Sequence, residues 1–198
     1  MRLFNDVVDM YWEKDSSGLY HGRGYGIGEK YIYVGQYIHG EIWGDFLWFD
    51  TKTGDLLMKV EIICDMAHGK YEYYENNKLV ERGIYQYGLK TFHLRLQNGK
   101  VYEYGFSRDD KLHGFGCTVD ATGFRYTSPD WNSGIIDGLG CIQDANNKVL
   151  FYGNFVNGVP TKENLTKHSS MLKLWHLAHE PDPCKTLAYA CVESVLSN

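Results

Sequence analysis

Glycine and aromatic residues recur in a fixed frame along this chain, and such a frame admits few folds. Trp131 is followed by Gly134, Gly138 and Gly140, at offsets of three, seven and nine. Tyr37 is followed by Gly40 and Gly44, with Phe46 at the ninth position. Tyr74 places Asn77, Glu81 and Gly83 at the same offsets, so that Glu81 replaces a glycine. Phe106 gives Gly114 and Gly116 after one inserted residue, and Trp12 gives Gly18, Gly22 and Gly24 after three. The seventh-offset positions 22, 44, 81, 114 and 138 lie 22, 37, 33 and 24 residues apart. The regular unit therefore has about two dozen residues with two longer members, a period that belongs to an array of small supersecondary units.

The glycines of 19–35 (LYHGRGYGIGEKYIYVG) are part of this frame and not a phosphate cradle. A phosphate loop needs a helix after it. Here the next residues are Tyr31-Ile32-Tyr33-Val34, rich in aromatic and β-branched types, which predicts a strand. Each unit reads as a β-hairpin. The clearest is Lys90–Leu96, which alternates apolar and polar, then Gln97-Asn98-Gly99 with its Asn-Gly turn, then Lys100–Tyr104. Asp50–Gly54, Asp120–Gly123 and Asp144–Asn147 supply comparable turns.

After Pro160 the texture changes. Thr161 is a helix cap, Leu165, Leu172 and Trp175 carry an apolar stripe, and Pro181 ends it. Asp182 caps a second segment with Cys184, Leu187, Ala188, Cys191, Val192 and Val195 on one face. The expectation is a mainly β chain, with a repeat array over 1–160 and a C-terminal α-helical hairpin cap over 161–198.

Charge narrows the partners. The 20 Lys and Arg against 25 Asp and Glu give a net charge of −5, with no basic run for a phosphate backbone or an anionic bilayer. Nucleic acid is not expected, and membrane association is not favoured by charge. Acids in the first nine residues and five cysteines without a CxxC predict a cytoplasmic chain without a disulfide framework.

The segments from Tyr33 to Phe46, Trp131 to Gly140 and Phe151 to Gly158 resemble the membrane occupation and recognition nexus (MORN) repeat. Its pattern runs Tyr-x-Gly-x-aromatic-x-x-Gly-x-x-x-Gly-x-Gly, and His-Gly at 21–22 and 113–114 stands in the expected slot. The resemblance covers roughly residues 10–160 in about six units. It implies an elongated, twisted antiparallel sheet whose aromatics line one groove. Tyr33, Tyr37, Trp131, Phe151 and Phe155 occupy the groove slots and are the candidate protein-binding residues. The alternative is that these rings only stack on one another to hold a thin sheet together.

No catalytic set, cofactor or metal site is expected. His176, His179 and Cys184 form an incomplete zinc set. The four His-Gly pairs are explained by the repeat, the glycine setting the turn and the histidine filling a surface position. Cys117 and Cys141 occupy equivalent places about 10 Å apart, too far for a disulfide, and pack under the sheet, as does Cys64. Asp109-Asp110 and Glu41/Asp45 fall in turns, where acids are common. The leading expectation is a non-enzymatic module or scaffold that binds a protein partner. Two alternatives stand beside it: a lipocalin-like barrel with a small apolar ligand and an enzymatic interior, and a homodimer joined through open sheet edges or the tail.

Overall fold

The computed structural model describes residues 7–162, and every regular element among them is a strand. In chain order they are β1 (Val7–Lys14), β2 (Tyr20–Gly28), β3 (Tyr31–Ile38), β4 (Glu41–Ile42), β5 (Gly44–Asp50), β6 (Leu56–Ile63), β7 (Met66–Glu75) and β8 (Lys78–Gln86). They continue as β9 (Leu89–Gln97), β10 (Lys100–Arg108), β11 (Lys111–Val119), β12 (Arg125–Asn132), β13 (Ile135–Ile136), β14 (Gly138–Gln143), β15 (Val149–Val156) and β16 (Val159–Pro160). The chain divides into two compact units. The first runs to Glu103 and takes in Ser107–Asp110; the second takes Tyr104–Phe106 and the chain from Lys111 onward. The helical cap expected over 161–198 lies, from residue 163, outside the described residues.

Consecutive antiparallel strands build each unit, as the hairpin reading predicts. In the first, the order is β1-β2-β3-β5-β6-β7-β8-β9-β10; in the second, β11-β12-β14-β15-β16. Short β4 and β13 pair back onto β3 and β12 around a corner in the chain. Among the described residues β1 pairs with β2 alone and β16 with β15 alone, so neither unit closes into a barrel.

Turn chemistry explains why the strands reverse where they do. His39-Gly40, Cys64-Asp65, Tyr87-Gly88, Asn98-Gly99 and Asn157-Gly158 all have positive φ at both residues. That is the mirror-image turn whose twist matches a right-handed sheet. The longer loops are held by an aspartate. Asp15, Asp50, Asp120 and Asp144 each accept two backbone N–H groups from residues two to four positions on.

The turns also reveal the true frame of the repeat. Gly40 N donates to Tyr20 O (2.8 Å), Asp65 N to Ile42 O (3.3 Å) and Gly88 N to Ala67 O (2.9 Å); in the second unit Gly134 N donates to Leu112 O (2.9 Å) and Gly158 N to Ile136 O (2.8 Å). The acceptors at 20, 42 and 67 step by 22 and 25 residues, and those at 112 and 136 by 24. The slot in the third unit is thus Gly69, with φ +101°, and not Glu81. Residues 47–70 hold an ordinary hairpin of β5 and β6 followed by the two-residue turn at 64–65.

Glycine and aromatic are coupled by space. A Cβ on Gly35 would fall inside the Phe46 ring, one on Gly24 would lie 2.7 Å from Trp12 Cγ, and one on Gly140 would lie 2.7 Å from Phe155 Cε2. The ring lies flat on bare backbone because nothing projects from it. In the first unit these rings belong to a core of Trp12, Tyr33, Tyr37, Ile42, Phe46, Met58, Val60, Ile62 and Tyr71. In the second, Leu112, Trp131, Ile136 and Phe155 form the corresponding cluster.

Cys117 and Cys141 are buried and not joined by a disulfide, flanking Thr127 on the intervening strand, in agreement with the expected spacing. Cys64 departs from expectation. It is exposed in a turn at φ +50°, because the strand ends at Ile63.

Candidate functional site

The five aromatics singled out by the repeat pattern are divided between the two units. Tyr33 (3% exposed) and Tyr37 (6%) are buried in the first unit, and Trp131 (7%) and Phe155 (3%) in the second. Phe151 is half-buried and meets Phe155 edge-on at 5.3 Å. Trp131 Nε1 donates to Gly116 O (2.9 Å), so its polar atom is also satisfied within the unit. Burial pushes the Tyr37 hydroxyl up to about 12, with Asp65 and Tyr20 adding to the effect. These rings therefore present little of themselves at the surface.

A polar cluster that the repeat pattern does not announce lies on the core-facing side of β7 to β10. Glu81 accepts hydrogen bonds from Tyr71 Oη (2.7 Å), Lys90 Nζ (2.7 Å) and Arg95 Nε (2.8 Å). Arg95 Nη1 also reaches Glu103 (2.6 Å), and His93 Nε2 lies 3.0 Å from the same carboxylate. Lys90 binds Asp110 (2.6 Å) while standing over the rings of Tyr71 and Tyr73 at 5.2 and 5.3 Å. Burial works against ionising Glu81, yet hydrogen bonds from Arg95, Lys90 and Tyr71 outweigh it and hold the carboxyl down to about 2. Glu103 is lowered in the same way, against burial, by His93 and Arg95. Burial and then Asp110 and Glu81 act in opposite senses on Lys90, whose net shift is upward.

Saturation limits what this cluster can do chemically. Each carboxylate already holds two or three donors, and neither Glu81 nor Lys90 is poised near neutrality for proton transfer. It acts as a polar part of the core. The alternation in 90–96 implies a solvated polar face; instead Phe92, His93 and Leu94 are all buried, since β9 is covered on both sides. The repeat frame carries no trace of it, because the glycine slot of that unit is Gly69 and Glu81 stands outside it.

Exposed apolar residues gather elsewhere, at one end of the strands. Strands alternate in direction, so the loop at 15–19 and the turns at 39–40, 64–65 and 87–88 share one end of the first unit. Beside them stand Leu19 (47% exposed), Ile63 (41%), Met66 (47%), Tyr87 (75%) and Leu89 (68%). In the second unit, Ile135, Val156 and Val159 flank the corresponding turns and are also exposed. The opposite end of the hairpins carries Asp50, Asn76, Asn98, Asp120 and Asp144. Tyr87 is unusual twice over: it holds φ +51° without being glycine, and it is the most exposed large hydrophobic among the described residues. Its ring meets His68 edge-on at 5.2 Å, and its N–H points at His68 Nδ1 over a long 3.5 Å.

Two histidines of the His-Gly pairs, His21 and His68, thus have a task beyond filling the surface. His21 Nδ1 faces His39 N at 3.4 Å, and Asp137 Oδ1 accepts from Asn157 N at 3.2 Å in the equivalent place. A second exposed surface lies on the other face of the first unit. There Tyr11 and Tyr25 stack at 4.6 Å, beside an open hollow lined by Arg23, Val34, Leu47 and Lys59. His176, His179 and Cys184 lie outside the described residues.

No family model matches the sequence, and a search of curated proteins finds no match. Among the described residues no helix is long and apolar enough to cross a membrane.

Proposed function

We propose that the chain is a MORN-like repeat scaffold of the cytoplasm, non-enzymatic, that binds a protein segment. In the first unit that segment docks on the turn rim and not on the buried groove aromatics. The observation that carries this reading is the pair Tyr87 and Leu89, 75% and 68% exposed, at the same end of the first unit as Leu19, Ile63 and Met66. A non-glycine aromatic held at positive φ costs on the order of 1 kcal/mol, and Tyr87 recovers little of it by burial. Exposed aromatic and aliphatic anchors are the features that interfaces use. An α-helical cap over 161–198 belongs to the same proposal.

Two variants of the full chain separate the surfaces: Tyr87→Ser/Leu89→Ser at the rim and Tyr11→Ser/Tyr25→Ser on the stacked face. Partners are captured from lysate, and the one recovered is purified and titrated against each variant. The rim reading expects at least about tenfold weaker binding for the rim variant, with an unchanged melting temperature and full binding by the other. Binding lost only with Tyr11→Ser/Tyr25→Ser would overturn it. Light scattering on the same samples tests whether the partner is a second copy of the chain.

A further inference from the structure

The loop between β1 and β2 and the turn after β3 bring three metal-ligating side chains together at the rim of the first unit. Asp15 Oδ1 accepts the N–H groups of Ser17 (2.8 Å) and Leu19 (3.1 Å), which anchors the carboxylate and leaves Oδ2 facing His39 Nδ1 at 2.7 Å. These two residues are 24 positions apart in sequence. His21, on β2, sets its ring 5.0 Å from that of His39, centroid to centroid. One ligand atom from each of the three lies within 4.8 Å of the other two.

We propose that Asp15, His21 and His39 form a surface site for a divalent cation of the zinc class. Two imidazoles and a carboxylate are ligands that zinc accepts at about 2.0–2.2 Å, which places neighbouring donors roughly 3.3 Å apart in a tetrahedron. His39 and Asp15 open slightly from their hydrogen bond to admit the ion, and His21 closes toward them. The adjustment falls on movable groups. The His39 side chain is 71% exposed, and His21 gives up only a long 3.4 Å contact with His39 N. Asp15, by contrast, is held in place, its side chain 11% exposed. Open coordination positions face solvent, where water or a ligand from a bound partner completes the shell.

The donor set selects the cation. Calcium and magnesium require mostly oxygen ligands, and here one carboxylate stands against two nitrogens. A simple ion pair between His39 and Asp15 accounts for two members of the group, and a 3.4 Å contact from His39 N to Nδ1 engages the His21 imidazole, a long bond that it can exchange for an ion.

The test is calorimetric titration of untagged, full-length protein with zinc chloride at neutral pH. The parent chain, His21→Gln, His39→Asn and Asp15→Asn are compared; asparagine is chosen at position 39 because it tolerates φ +49°. One zinc per chain is expected, with affinity falling at least about tenfold in each variant while the melting temperature of the metal-free protein is retained. A fourth variant, His176→Ala/His179→Ala, should bind as the parent does. No binding by the parent, equal binding by all three rim variants, or loss confined to the fourth variant would each overturn the proposal.

Discussion

Gly35 shows how a single hydrogen atom sets the packing of the first unit. Any side chain there would overlap the Phe46 ring, which is fully buried in one cluster with Trp12, Tyr33 and Val60. Gly35→Ala should therefore destabilise the protein by about 1–3 kcal/mol through overpacking, and Phe46→Ala by about 3–5 kcal/mol through the cavity left behind. Urea unfolding followed by tryptophan fluorescence checks both. Glu81 makes a different kind of prediction. Its folded pKa is depressed from 4.5 to about 2, so its stabilising effect is complete above the unfolded value and lost as pH falls through that interval. Thermal melts between pH 5 and pH 2 should show a steep acid limb in the parent and a flatter one in Glu81→Gln, which is less stable at neutral pH because Arg95 and Lys90 lose their common acceptor.

Elements in this fold are defined by their ends. The β9–β10 turn needs positive φ at Asn98 (53°) and Gly99 (75°), and Asn-Gly is the pair that meets this demand most cheaply. Gly99→Val should cost about 1–2 kcal/mol, with no change in the Asp-held loops. Asp120→Ala removes the acceptor of Thr122 and Phe124 N–H groups and of the Tyr126 hydroxyl. Hydrogen exchange at Thr122 and Phe124 should speed up while the amides of β6 stay protected, since that strand is paired on both edges. Both effects are local because each hairpin pairs only with its chain neighbours.

At the scale of the full chain, two clusters of buried side chains share no member: one around Phe46 and one around Trp131. The losses from Phe46→Ala and Trp131→Ala should add to within about 0.5 kcal/mol in the double variant, as they do for sites without common partners. Strong coupling between them, measured by the same urea titration, would contradict separate cores.

Strands, their reversals and the pairing of glycine with aromatic are all legible in the amino-acid order. These are local demands: alternation sets a strand, Asn98-Gly99 or Asp120–Gly123 sets a turn, and a ring beside a glycine has bare backbone to cover. The frame of the middle units is settled by strand pairing instead, where Gly69 holds the slot that offsets from Tyr74 assign to Glu81. Similar units make several frames locally equivalent, and the distinction lies in hydrogen bonds such as Gly88 N to Ala67 O that join one turn to the next. The same holds for the surfaces. Burial of Tyr33, Tyr37, Trp131 and Phe155, the saturation of Glu81 and the meeting of Asp15 with His39 depend on which strands lie side by side, a property of pairing across 10 to 24 residues that no single segment encodes.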